Sequence, residues 1–274
     1  DVLEIGCGTG MLLARVAPHV RRYRGTDLSA YALAQADALR AHLGGLEHVH
    51  VSRQPAHDFT DLGGPFDTAI LNSVVQYFPS ADYLLAVIAG LLARMTATGA
   101  IFLGDLRSLP LLASYHASVE HHRTPDVERR ELHARVGRAM LRDNELVLDP
   151  RFFSELRAIF PQIVAVEVEP KRGAFHNELT LFRYDVTLRL GPAAPAAAAP
   201  HAWRDVAGEG MTLADLRRWL AAAAPGTLLG LRNLPNARLQ AVDDLRRWLT
   251  GDGEGPWQAP PPDPRAWDPE ALWA

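Results

Sequence analysis

The stretch Asp1-Val2-Leu3-Glu4-Ile5-Gly6-Cys7-Gly8-Thr9-Gly10 decides the architecture. A short apolar run ends in three alternating glycines, and a helical stretch over 10–18 follows. Strand, glycine turn and helix in that order make a glycine loop informative, because glycine lets the backbone turn tightly and approach a ligand closely. A dinucleotide loop would carry its third glycine at position 11, where Met11 stands. No lysine followed by Ser or Thr completes a phosphate loop either.

Working outward, strands are expected near 22–27, 47–52, 66–71 and 99–104, with helices near 30–43 and 80–93. This alternation predicts an α/β fold, a doubly wound Rossmann-like parallel sheet with helices on both faces. Such sheets bind ligands at the carboxyl ends of their strands, where strand order reverses. Residues 109–145 lose the β-branched character and repeat apolar side chains at helical spacing, so two helices joined near Pro125-Asp126 are expected there. As an insertion after the fifth strand they are placed to form a helical lid over the strand ends. Asp149-Pro150 opens a helix over 150–158. The segments 163–169 and 179–190 read as an antiparallel hairpin at the sheet edge.

Gly191 to Pro200 is Ala/Pro-rich and reads as a linker. Beyond it, helices over 213–223 and 239–249 flank a strand-like 228–231, and 251–266 is expected to be irregular. Residues 201–274 thus form a small C-terminal α/β segment. The chain opens directly on a buried strand and stops at Asp268–Ala274, where a helix is due. It is therefore expected to be an excerpt from a longer protein.

Apolar residues make up 48% of the 274 and charged residues 22%, which calls for a folded core. The formal net charge of -4 lacks the basic footprint of a nucleic-acid or anionic-membrane binder. One cysteine, Cys7, excludes an internal disulfide and any multi-cysteine metal site. The pairs His121-His122 and His48/His50 lack a completing carboxylate, so no metal is expected. No apolar run reaches a membrane-spanning length of ~20 residues, and the start does not read as a signal peptide, so a cytoplasmic location is expected.

Glu4-Ile5-Gly6-Cys7-Gly8-Thr9-Gly10 resembles motif I of class I methyltransferases that use S-adenosylmethionine. Two further blocks, Asn72-Ser73-Val74-Val75-Gln76-Tyr77-Phe78-Pro79 and Gly104-Asp105-Leu106-Arg107-Ser108-Leu109-Pro110, are similar to the N-methyltransferase domains embedded in nonribosomal peptide synthetases. Glu145–Pro150, Lys171-Arg172-Gly173 and His176–Val186 extend the likeness over residues 1–190. Leu231–Arg238 and Asp268–Trp273 resemble the synthetase segment that follows such domains. Family members carry helices before motif I, and these are expected to be missing from this excerpt, which opens at motif I.

The resemblance implies N-methylation of an amino acid held as a thioester on a carrier protein's phosphopantetheine arm. Adenylation and carrier domains would be neighbours; the chain itself shows neither motif set. It further implies that Glu4 orders the glycine loop and helps hold the cofactor's methionine end beside Gly6, Cys7, Gly8 and Gly10. Cys7 is expected to be a small buried packing residue rather than a nucleophile. Asp27, ending the second strand, can accept hydrogen bonds from both ribose hydroxyls. Asp58-Phe59 stands where the family reads the adenine amino group, and Asn72 ends the fourth strand facing the cofactor.

Methyl transfer from a sulfonium needs an aligned neutral amine and an acceptor for its proton. Glu178 is the first candidate, with a salt bridge to Arg183 or Arg172 as the competing role. His116, on the first inserted helix, is the second, against a purely structural role. Tyr77, Arg107, His176 and Asn177 are candidate acceptor-pocket residues, Arg107 alternatively pairing with Asp105. A free-standing O-, N- or C-methyltransferase of small molecules and a non-catalytic spacer or docking module are the alternative functions.

Overall fold

The computed structural model of the protein describes residues 1–192, 200–251 and 255–272. Most of the expected linker, 193–199, lies outside the described residues, as do 252–254 within the stretch expected to be irregular, and Trp273-Ala274. The chain divides into two compact units. One takes residues 1–109, 144–169 and the stretch that begins at Arg183. The other takes 110–143, 170–182 and the residues beyond the Ala/Pro stretch. The insertion therefore shares a unit with the C-terminal segment, where the sequence suggested a domain over 1–190 and a separate appendage.

The first unit is built on one eight-stranded sheet of β1 (Val2–Ile5), β2 (Tyr23–Asp27), β3 (Val49–Arg53), β4 (Phe66–Asn72), β5 (Met95–Ser108), β6 (Val147–Leu148), β7 (Ile163–Pro170) and β8 (Arg183–Leu190). Its order is β3-β2-β1-β4-β5-β8-β7, with β6 pairing onto β5. The first five strands run parallel, while β8 is antiparallel to β5. The Gly191 N–H donates to the Gln162 carbonyl at 3.2 Å, the closure an antiparallel β7–β8 pair makes.

Alternation along the strands separates two apolar layers. Leu3, Ile5, Ala69, Leu71, Ile101 and Leu103 join one cluster with Leu84, Val87, Ile88 and Leu91 of helix α3 (Ala81–Leu92). Phe153 and Leu156 close this layer; their helix, α6 (Arg151–Ile159), follows α4 (Leu112–Arg123) and α5 (Arg129–Arg142) of the second unit. Val2, Ile70 and Tyr23 turn to the opposite layer, where Leu13 of helix α1 (Leu13–Val16) and Leu46 meet them. Helix α2 (Ala30–Leu43) starts at Ser29, whose hydroxyl accepts the Ala32 N–H at 3.1 Å, and stops at Gly44 in the left-handed region.

Three elements differ from expectation. The helix over 10–18 shrinks to α1, because Pro18 enters a 3₁₀ turn over Ala17–His19. The fifth strand runs four residues past Gly104, since β6 and β8 flank it there and satisfy its backbone. Residues 179–182, expected in strand, belong to helix α7 (Glu178–Phe182), with the Asn177 Oδ1 accepting the Leu179 and Thr180 N–H groups at 3.0 and 3.3 Å. That side-chain cap satisfies donors a strand would have needed to pair elsewhere.

In the second unit, Ala117, Leu132 and Val136 of α4 and α5 pack with Leu245 and Leu249. Those two belong to α10 (Gln240–Thr250), which follows α8 (Val206–Glu209) and α9 (Leu213–Ala222). A short β-α-β piece pairs β9 (Ala202–Asp205), which the sequence did not signal, in parallel with β10 (Leu229–Arg232). Among the described residues no helix is long and apolar enough to cross a membrane.

Glu4 is the anomaly of the first unit's core. It lies on the Val2 face of β1, is 3% exposed, and accepts a hydrogen bond from the buried Tyr23 hydroxyl. Burial pushes its carboxyl from 4.5 up to about 7, with the Asp27 charge adding to the rise and Tyr23 opposing it. Below pH 4.5 Glu4 is protonated folded or unfolded and contributes no pH dependence. Between 4.5 and about 7 the folded state keeps a proton the unfolded chain has lost, so stability falls as pH rises, by up to roughly 3 kcal/mol in all. Glu4→Gln should flatten this slope. Urea midpoints from pH 5 to 8 test it: the parent declines relative to the variant, and parallel curves would contradict the assignment.

Candidate functional site

Strand order reverses between β1 and β4, and a cavity of about 570 Å³ opens at their carboxyl ends. Ile5, Gly6 and Gly8 form one side and Asn72, Ser73 and Val74 the other. Gly6 sits at φ +77°, and any side chain there would collide with Val74 across the cleft. Gly10, at φ +88°, lies against Ala36 of α2, where an added Cβ would come within 3.3 Å of it. Gly6 thus serves the contact between the two loops, and Gly10 the docking of the loop on α2.

Asp27 joins the loop to β2. Its Oδ2 accepts the Gly8 N–H at 2.9 Å and its Oδ1 the Ser29 N–H at 2.8 Å. Both oxygens keep a further lone pair, and the residue lines the cavity. The Gly6 and Cys7 N–H groups both donate to the Thr26 carbonyl, at 2.7 and 2.9 Å. Cys7 is buried with its Sγ packed toward Gly25, and burial pushes its thiol up to about 12. That makes it the packing residue expected, inert as a nucleophile at neutral pH.

The opposite wall depends on two residues in left-handed backbone, Ser73 at φ +57° and Asp105 at φ +61°. The Ser73 hydroxyl donates to Asp105 Oδ2, and Asn72 Nδ2 lies 3.4 Å from the same oxygen. The Asp105 N–H donates to Asp185 Oδ1 at 2.9 Å. Gly104 has no side chain because Asn72 occupies that space. Arg107 is buried and pairs with Glu145 at 3.3 Å. Tyr77, 72% exposed, stands at the cavity with Phe78 and Pro79.

After β3 the wall consists of Gln54 and Ala56. Asp58 instead closes a turn, its Oδ1 accepting the Thr60 N–H at 2.9 Å, and this bond holds its carboxyl below the usual range. Phe59 is a core residue, its ring fitting against Gly90 with the Arg94 guanidinium 4.7 Å from the ring centre. Gln54 was missed in the sequence, although it is the first residue past β3, the position type that exposed Asp27's neighbourhood at β2.

The remaining candidates belong to the second unit. His116 on α4 is buried, with Nε2 2.8 Å from Asp143 Oδ2, a partner the sequence did not single out. Glu178 is exposed at the first position of α7. His176 Nε2 lies 2.9 Å from Asp268 Oδ2. Among the described residues no three His, Cys, Asp or Glu side chains are placed to hold a metal ion.

The cavity's electrostatics ask for a cation. Asp27, which ends β2 and lines the cavity, has no ion-pair partner among the described residues, while the buried Glu4 carboxyl stands one residue before the end of β1. A ligand with a sulfonium and an ammonium group fits that demand, and its hydroxyls fit the spare lone pairs of Asp27.

Comparison with known proteins agrees. Residues 3–100 match a family model described as a methyltransferase domain. The whole chain is similar, at 48% identity, to chondramide synthase cmdD of Chondromyces crocatus, of which it spans 7%. Over 70% of the chain it is 43% identical to "Probable non-canonical nonribosomal peptide synthetase (NRPS) CymA" of Salinispora arenicola, spanning 2% of that protein. Over 69% it is 35% identical to enniatin synthase of Fusarium equiseti, spanning 6%. The chain is thus a small part of the length of the relatives it matches. It carries an S-adenosylmethionine-dependent class I methyltransferase domain of the kind embedded in nonribosomal peptide synthetases.

Proposed function

We propose that this domain transfers a methyl group to the amino nitrogen of an aminoacyl group held as a thioester on a carrier protein. The observation that carries this reading is the match to a peptide synthetase over the entire chain, second unit included. Neighbouring adenylation and carrier domains follow from the same reading.

S-adenosylmethionine, when bound, supplies an electrophilic methyl group on a positively charged sulfur. The chain's own residues do the rest. Asp27, fixed by the Gly8 and Ser29 N–H groups, accepts the ribose hydroxyls. Gly6 and Gly8 leave room for close approach at the methionine end, with the buried Glu4 carboxyl on the strand before them, and Asn72 flanks the opposite side. Tyr77 lines the cavity of the first unit, and Asn177 and His176 of the second are the further residues assigned to the acceptor. Glu178 accepts an N–H of the amine, aims its lone pair and receives the proton as the methyl arrives.

Asp27→Ala removes two charge-assisted hydrogen bonds of about 1.5–3 kcal/mol each, so cofactor affinity by calorimetry should fall at least tenfold. Unchanged affinity in a folded variant would contradict the ribose assignment.

Glu178→Gln keeps the side-chain volume but loses most of the basicity. Methyl transfer from labelled cofactor to aminoacyl-loaded carrier protein should slow by about 10²–10⁴-fold, with cofactor affinity nearly unchanged. A variant that works at the parent rate removes Glu178 from the chemistry and moves the role to His116, whose ring Asp143 orients.

A further inference from the structure

Arg238 is, among the described residues, the most deeply buried charged side chain of the second unit, 1% exposed. It lies just before α10, in Asn233-Leu234-Pro235-Asn236-Ala237-Arg238, far along the chain from the candidate chemistry. Yet its guanidinium reaches back 65 and 67 residues. Nη1 donates to the Lys171 carbonyl at 2.8 Å and Nη2 to the Gly173 carbonyl at 2.9 Å. Nε donates to Asp268 Oδ1 at 3.1 Å, and Nη2 lies 3.6 Å from Glu270 Oε1.

The two carboxylates carry the clamp further. Glu270 accepts the Gly173 N–H at 2.9 Å and Arg172 Nη2 at 3.0 Å. Asp268 Oδ2 lies 2.9 Å from His176 Nε2. The run 171–176 is therefore gripped along its length by Arg238, Asp268 and Glu270. Its end passes straight into the Asn177 cap and Glu178, and Thr180 Oγ1 ties the helix back by donating to the Phe175 carbonyl at 2.7 Å. The planar guanidinium serves two carbonyls and a carboxylate from three separate nitrogens, a spread that the single nitrogen of an ammonium does not reproduce. A buried arginine also demands this full set of partners, so the grip is all-or-none.

We infer that Arg238 is a positioning residue for methyl transfer, holding the 171–176 run through Asp268 and Glu270 so that the Asn177–Glu178 turn is fixed for the acceptor amine. This gives the residues beyond the Ala/Pro stretch a part in the reaction. It rests on the proposed role of Glu178.

The test compares Arg238→Lys with Asp268→Asn in the full chain, the second variant serving if the first does not fold. Three quantities are read: cofactor affinity, kcat/KM for aminoacyl-loaded carrier protein, and hydrogen exchange over 171–182. Cofactor affinity should stay within twofold, kcat/KM should fall at least tenfold, and exchange over 171–182 should quicken while β1, β4 and β5 keep their protection. Combined with Glu178→Gln, Arg238→Lys should lower the rate less than twofold further, because both changes act on one step. Unchanged exchange over 171–182 with kcat/KM within twofold overturns the inference, and so does full additivity with Glu178→Gln. If Glu178→Gln alone works at the parent rate, the base assignment fails separately. Arg238 then stands if its variants still raise the acceptor KM and quicken exchange over 171–182, and falls if they do neither.

Discussion

The contact between Gly6 and Val74 is the constraint on which the rest of the site depends. Two loops leave adjacent parallel strands at the place where strand order reverses, and they must pass close without closing the crevice. Only a residue without Cβ permits that approach, and its left-handed backbone turns the chain toward α1 afterwards. With the loop so turned, the N–H groups of Gly6, Cys7 and Gly8 point at β2, where Thr26 and Asp27 receive them. Asp27 is thereby held at the cavity by the same bonds that shape the loop.

The facing wall uses a different device. Ser73 and Asp105 each adopt a backbone conformation that costs energy in a residue with a side chain, and each is bonded to the other. Ser73 turns the chain just past β4, Asp105 sits at the irregularity within β5 between Leu103 and Leu106, and their bond sets Asn72 and Val74 at the cavity. The acidic character of the site follows from what surrounds it. Glu4 is buried against a tyrosine, the half-buried Asp27 is held by backbone amides, and neither is neutralised by a basic side chain among the described residues. Catalysis by alignment and charge complementarity needs little more from this unit.

Much of the first unit was legible because local chemistry and global fold agree there. The Val2–Ile5 run and the glycine turn mark their elements without tertiary help. Asp27 and Asn72 could be found because each ends a strand whose boundary the sequence states. Where partners far along the chain decide the outcome, the sequence was silent. Polar Asp105–Ser108 extends β5 only because β6 and β8 flank it. Leu179–Phe182 alternates like a strand, yet the Asn177 side chain commits it to helix. Phe59 beside Asp58 looked like a cofactor contact, but the open face of Gly90 admits its ring to the core. The Arg238 clamp joins segments 65 or more residues apart, and no local pattern announces it.

The central claim is that S-adenosylmethionine occupies the crevice between the ends of β1 and β4. Hydrogen exchange with and without the cofactor reads this directly, peptide by peptide. The account predicts slowed exchange over 4–10, 25–29 and 72–79, the peptides that carry the glycine loop, Asp27 and the Asn72–Pro79 wall. Binding proven by calorimetry with no added protection in these three peptides, or with protection confined to other segments, would contradict it.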